Sequence, residues 1–231
     1  MSGRDSLVDG EVWDPFGTLR RALWIGGGQW AGKSTVSRLL AVQYGVTVYH
    51  YDYHDARGHN DRRIARRVAL GEPVTGPDPN EVWVHTTPEE MATETLAGFP
   101  DRFQWALDDL RALVSGHPVI AEGWGLRPEL VAPLIDSPRR MIVMVPTPGF
   151  RDQQVRELPR ATSLGHRVSD PARAQANRLA RDRLVAEDAV RKAHQLGIRV
   201  IAVDGSRDAT GIAEIVADHF GPYLPEQGRS T

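Results

Sequence analysis

The segment Gly27-Gly28-Gln29-Trp30-Ala31-Gly32-Lys33-Ser34-Thr35 constrains this chain more than any other. It fits G-x-x-x-x-G-K-[ST], a spacing with a physical purpose. Gly27 and Gly32 can take turns closed to other residues and let the main chain come close to an anion. The amides between them converge as a nest at the positive end of the helix that follows. Lys33 then reaches the β- and γ-phosphates of a nucleotide, and Ser34 places its hydroxyl on Mg²⁺. ATP and Mg²⁺ are therefore the expected ligands, with residues 27–35 as their cradle.

Such a loop needs a strand before it and a helix after it, and the flanking sequence supplies both. Residues 22–25 (ALWI) are a short apolar run that reads as a buried strand. From Lys33 onward, Val36, Leu39, Leu40 and Gln43 follow helical spacing, and Gly45 stands at a C-cap position. Further β-branched or apolar runs at 46–50, 118–121, 140–145 and 199–203 predict four more strands. Helices are expected near 60–71, 88–98, 101–115, 127–135, 149–158, 171–196 and 209–220, the long one opened by Ser169 or Asp170 before Pro171. Near-continuous apolar strands alternating with helices imply an α/β three-layer fold around a parallel sheet.

Composition narrows the function classes. Of 28 basic residues all but Lys33 and Lys192 are Arg. Lys192 lies in Val190-Arg191-Lys192-Ala193, so no Asn-Lys-x-Asp guanine-reading motif is available and a Ras-type GTPase is excluded. A transporter ATPase signature is missing, and 231 residues are few for a ring ATPase with its lid domain. The net charge of −2 gives no reason to expect nucleic acid or an anionic membrane as partner. No run of about 18 apolar residues predicts a membrane span. The absence of cysteine fits a reducing cytoplasm, the expected location.

Taken together, the loop, the acidic residue just past the second strand (Asp52) and Ala121-Glu122-Gly123 after the third resemble the nucleoside-monophosphate-kinase-like branch of P-loop kinases. That branch includes nucleotide, shikimate, gluconate and chloramphenicol kinases, and the resemblance spans residues 20–220. It implies a P-loop NTPase fold with a five-stranded parallel sheet ordered 2-3-1-4-5, and an ATP-dependent phosphotransferase acting on a small-molecule acceptor. In such kinases an acid past the second strand faces the transferred phosphoryl group. Here that is Asp52, which would orient or deprotonate the acceptor hydroxyl and hold a Mg²⁺ water, with Asp55 in reserve. Glu122, where the common pattern has Asp, would act on either the metal or the acceptor. The segment Glu122-Gly123-Trp124-Gly125-Leu126-Arg127-Pro128 departs from the Asp-Gly-Phe-Pro-Arg of nucleotide kinases, which turns the expectation away from a nucleoside-monophosphate acceptor. A nucleotide kinase with an unusual acceptor motif and an ATP-binding switch are the alternatives.

The resemblance also implies a lid near 151–170, whose arginines neutralise the transferring phosphoryl group. Arg156 and Arg160, four apart, would share a helical face, and Arg181-Asp182 resembles the start of the post-lid helix. Gly205, after the fifth strand, is expected near adenine. An insert at about 52–117 is expected to bind the acceptor, with Trp83, Phe103 and Trp105 to wall an apolar molecule, or Arg62, Arg63, Arg66 and Arg67 to hold an anionic one. Strand alternation at His50, Asp52 and His54 also invites a metal-site reading. Mg²⁺ with ATP already accounts for the Asp. Residues 1–18 read as an extension and 221–231 as a fraying tail.

Overall fold

The computed structural model describes residues 12–158 and 167–226. Five strands carry the fold: β1 (Leu23–Gly27), β2 (Thr47–His50), β3 (Val119–Glu122), β4 (Met141–Pro146) and β5 (Arg199–Val203). All pairings are parallel and the order is β2-β3-β1-β4-β5. All five strands and their order agree with expectation. The first runs two residues further than its apolar run, taking Gly26 and Gly27 into the sheet.

Every residue of β1 is buried, because both its faces are covered. Strand alternation sends Trp24 to one face, and Leu23 and Ile25 to the other. On Trp24's side lie α1 (Thr18–Arg21), α6 (Phe99–Arg111), α7 (Pro128–Val131) and α9 (Pro171–Gln195), contributing Leu19, Phe103, Leu110, Val131 and Ala189 among others. On the opposite side α2 (Lys33–Tyr44) and α10 (Ala209–Phe220) pack Val36, Leu40, Val216 and Phe220 over Ile120, Ile142 and Met144. The long α9 starts with Asp170 accepting from the Arg173 amide, as the Asp-Pro signal predicts.

Between β2 and β3 the chain forms α3 (Tyr51–Ala56), α4 (Gly58–Ala69), a π-helical turn (Glu81–His85), α5 (Pro88–Ala97) and then α6. Thr87 and Glu90 close a reciprocal capping box that starts α5. Neither α4, the π-turn nor α5 adds a described residue to the two core clusters on the sheet, whereas α6 is part of its layer. The short α3 replaces the continued strand on which the metal-site reading depended. The sheet ends at His50, so His50, Asp52 and His54 do not alternate along one extended face.

Phe103 is 2% exposed and packs on Trp24, and so belongs to the core rather than to any substrate wall. Trp105 stacks edge-on against the buried His59. The centre of the expected lid, with Arg160, lies outside the described residues, as do residues 1–11 and 227–231. No helix among the described residues is long and apolar enough to cross a membrane.

The buried Arg127 ties the loop after β3 to α9. It is 1% exposed, donates to the Val185 carbonyl at 3.0 Å and ion-pairs with Asp188, which Arg191 also approaches from the surface. Removing one partner of a buried pair leaves the other charge uncompensated. With Arg191 as partial replacement, Arg127→Met should lower the unfolding free energy by about 2–4 kcal/mol. Urea denaturation checks this, and Asp188→Leu added to Arg127→Met should recover part of the loss.

Candidate functional site

At the carboxyl end of β1 the chain must leave the sheet directly beneath β4. The Gly28 amide donates to the Met144 carbonyl at 2.8 Å, and a Cβ at Gly27 would stand 2.1 Å from that oxygen. Gly27 also holds φ 115°, which side-chain-bearing residues rarely adopt. The loop closes at Gly32, the left-handed N-cap of α2, whose first residues are Lys33, Ser34 and Thr35. Lys33 is 5% exposed and its ammonium donates to the Gly28 carbonyl at 2.7 Å, folding back over the cradle.

Trp30 is the one described non-glycine residue with positive φ, at 69°. A left-handed residue of this bulk costs on the order of 1–3 kcal/mol unless its surroundings hold it. The Arg178 guanidinium, from α9, lies 5.6 Å over its ring. Burial pushes the Asp182 carboxyl up, opposed by Arg181, Arg178 and Trp30. The loop is thereby fastened to α9.

Three parallel strands bring the acidic residues to this loop. Register pairs Ile25 with Glu122, and Glu122 with His50, so the ends of β1, β3 and β2 lie level. Glu122 is 1% exposed. Its Oε1 accepts from the Ser34 hydroxyl at 2.9 Å and lies 2.7 Å from His50 Nδ1, while its Oε2 is buried with no hydrogen-bond partner. Asp52, on the first turn of α3, accepts from the Trp124 amide at 3.0 Å. That approach requires Gly123, where φ is 153° and a Cβ would meet Asp52 Oδ1 at 2.8 Å. Burial raises the Asp52 pKa above its ordinary value; Lys33 and the Trp124 amide oppose this, and Glu122 and Asp55 add to it.

Lys33, Ser34, Asp52 and Glu122 thus form one constellation. Gln29, Trp30 and Ala31 lie on the loop beside them, and Gly205 rests against the Phe150 ring of α8 (Pro148–Glu157). Arg156 is exposed near the end of α8, and the expected pairing with Arg160 runs past the helix, which stops at Glu157. Arg181 is half-buried, paired to Asp182 at 2.8 Å, with its guanidinium 5.3 Å from the Trp83 ring centre and 5.1 Å from that of Trp124. Asp55 does not join the constellation: Arg63 and Arg102 hold it at 2.8 and 3.1 Å.

Trp124 and Asp182 escaped the sequence reading as members of this neighbourhood, and that reading groups His50 with Asp52 and His54 but not with Glu122. His50 was legible in principle, because it ends β2 as Glu122 ends β3, and parallel neighbours end level.

The donor set fits a magnesium ion better than a metal cage. Among the described residues no three His, Asp or Glu side chains are arranged to hold a metal. A hydroxyl, one or two carboxylates and the oxygens of a phosphate chain suit Mg²⁺, which keeps several waters. Ser34 Oγ and the unpartnered Glu122 Oε2 are the atoms that could serve it. No protein-family model matches the chain, and no curated protein matches it.

Because folding raises the Asp52 pKa, the native state binds that proton more tightly than the unfolded chain does. This carboxyl therefore costs stability increasingly as pH rises through the interval between its unfolded and folded pKa values. The cost is complete above the folded value and absent below the unfolded one. Asp52→Asn should accordingly raise the melting temperature of the metal-free protein at pH 7, with the gain shrinking toward pH 3. Differential scanning calorimetry at both pH values decides the sign.

Proposed function

We propose that this chain is a Mg-ATP-dependent phosphotransferase that moves the γ-phosphate to a hydroxyl of a small molecule, of the metabolite or antibiotic-like kind. The observation that carries the reading is the convergence of Lys33, Ser34, Glu122 and Asp52 at the level ends of three parallel strands. The resemblance to nucleoside-monophosphate-kinase-like enzymes, carried by the same loop, Asp52 and Glu122, points the same way.

On this reading the amides of the 27–32 loop take the phosphate chain, and the Lys33 ammonium exchanges the Gly28 carbonyl for β- and γ-phosphate oxygens. Ser34, with Glu122 and Asp52 behind it, would hold the magnesium ion, which when bound neutralises charge on the phosphate oxygens. Asp52 orients the acceptor hydroxyl. As that oxygen bonds to the γ-phosphorus, the bond to the β,γ-bridging oxygen breaks, ADP departs, and the hydroxyl proton passes to Asp52. Arg181, and Arg156 from α8, would meet charge spread over the transferring group. Adenine would lie toward Gly205 and Phe150.

The position in which nucleotide kinases grip an acceptor phosphate favours a different molecule here. Arg127, the arginine nearest to it in sequence, is buried and spent on Asp188 and the Val185 carbonyl.

ADP release from Mg-ATP with pooled alcohol acceptors is the direct test. Lys33→Ala should abolish it. Asp52→Asn should lower kcat by about 10²–10⁴-fold while Mg-ATP binding, read by calorimetry, stays within about threefold of wild type. Wild-type protein that binds Mg-ATP but releases no ADP with any pool would instead favour an ATP-binding switch.

A further inference from the structure

Most of the arginines of α4, and Arg102 of α6, are already matched by carboxylates. Arg62 lies 3.5 Å from Asp109, Arg63 2.8 Å from Asp55, Arg66 3.3 Å from Asp101 and Arg102 3.1 Å from Asp55. A cavity of about 500 Å³ opens among Arg63, Arg66, Arg67 and Arg102, yet Glu72, Glu94 and Asp101 line it too. An anion entering there would have to displace protein carboxylates from Arg63, Arg66 and Arg102, and only Arg67, held by the Val74 carbonyl at 3.0 Å, carries none. Deeper in, Asp52 and Glu122 stand together with Lys33, and that ammonium belongs to the glycine loop. A phosphate or carboxylate on the acceptor would face these two acids, and the guanidinium near Trp124, that of Arg181, is matched by Asp182 and assigned to the transferring group. Like charges in a partly buried site repel strongly.

On the other side the walls are different in kind. A second cavity, of about 360 Å³, is lined by Val82, Trp83, Met91 and Thr95 together with Glu81, Glu94 and Arg181. The Arg181 guanidinium stands between the Trp83 and Trp124 rings and is matched by Asp182. Trp124 in turn gives its amide to Asp52. Arg181 and Trp124 therefore link this apolar cavity to the carboxylate assigned to the acceptor hydroxyl. Its volume suits a body of roughly a dozen water-sized groups, and a flat ring is what an indole wall receives best.

We infer that the acceptor is an alcohol without an anionic group, its apolar, ring-bearing body seated against Val82, Trp83 and Met91 and its hydroxyl directed past Trp124 to Asp52. This rests on the phosphotransferase reading and names the substrate class for it. Selectivity arises from both halves: an apolar wall that gains by burying a ring, and an acidic centre that rejects a charged one.

Matched probes test it by titration calorimetry on the full chain, in the presence of Mg²⁺ and a non-hydrolysable ATP analogue. The pairs are thymidine against thymidine 5′-monophosphate, and 3-phenylpropane-1,2-diol against 3-phenyllactate. In each pair the uncharged member should bind at least about tenfold more tightly. Trp83→Ala should weaken that binding by about tenfold and Trp83→Phe should largely keep it, with unchanged melting temperatures showing that both variants fold. Tighter binding of the anionic members, no binding of any uncharged member at millimolar concentration, or indifference to Trp83→Ala would each overturn the inference. Lys33-dependent ADP release is scored separately. Its absence alongside selective binding of the uncharged members would sink the phosphotransferase reading and leave the acceptor cavity standing.

Discussion

β1 is hydrogen-bonded along both edges, to β3 and to β4, and the position of its carboxyl end sets everything above it. Gly27 is paired with Met144 in the sheet, so the chain must turn away in contact with the β4 backbone, where no side chain fits. The same ladder holds Ile25 level with Glu122, and the next holds Glu122 level with His50. Ser34, on the helix that the loop opens, therefore meets Glu122 at hydrogen-bond distance. A one-residue slip of β3 would turn Glu122 to the other face and dissolve the constellation.

The electrostatics of the site are those of a fold that accepts a local cost. Asp52 and Glu122 are kept close together in a buried place, with Lys33 as their near cation, and Asp52 is held above its ordinary pKa as a result. One oxygen of Glu122 has no partner at all. Several other charges are paired: Arg127 with Asp188, Arg181 with Asp182, Arg63 and Arg102 with Asp55. Two acids that share one near cation at the end of a glycine loop are the kind of arrangement in which perturbed pKa values gather at functional sites.

The frame was legible because it is written in short-range signals. Apolar runs gave all five strands, the Asp-Pro pair gave the start of α9, and the glycine spacing gave the loop. The errors came where contacts distant in sequence decide. Asp52 lies just past the second strand as expected, but its setting on a helical turn, held through Trp124, 72 residues away, was not legible. Phe103 looks like a possible substrate wall until α6 is seen packing it on Trp24. The arginines 62, 63 and 66 look free until Asp109, Asp55 and Asp101 are placed opposite them. Trp30 is an ordinary variable position in the motif, and only the packing of α9 shows that its ring lies under Arg178.

By itself the sequence determined a parallel α/β sheet and a glycine loop able to cradle an anion, since both follow from local periodicity and from which residues tolerate positive φ. The tertiary structure alone decided which acids meet Ser34 and Lys33, which arginines already have a partner, and where an apolar cavity opens. Those are matters of strand register and packing between segments tens of residues apart. A charge in a sequence has a sign, but only its neighbours in space fix whether that charge is free to act.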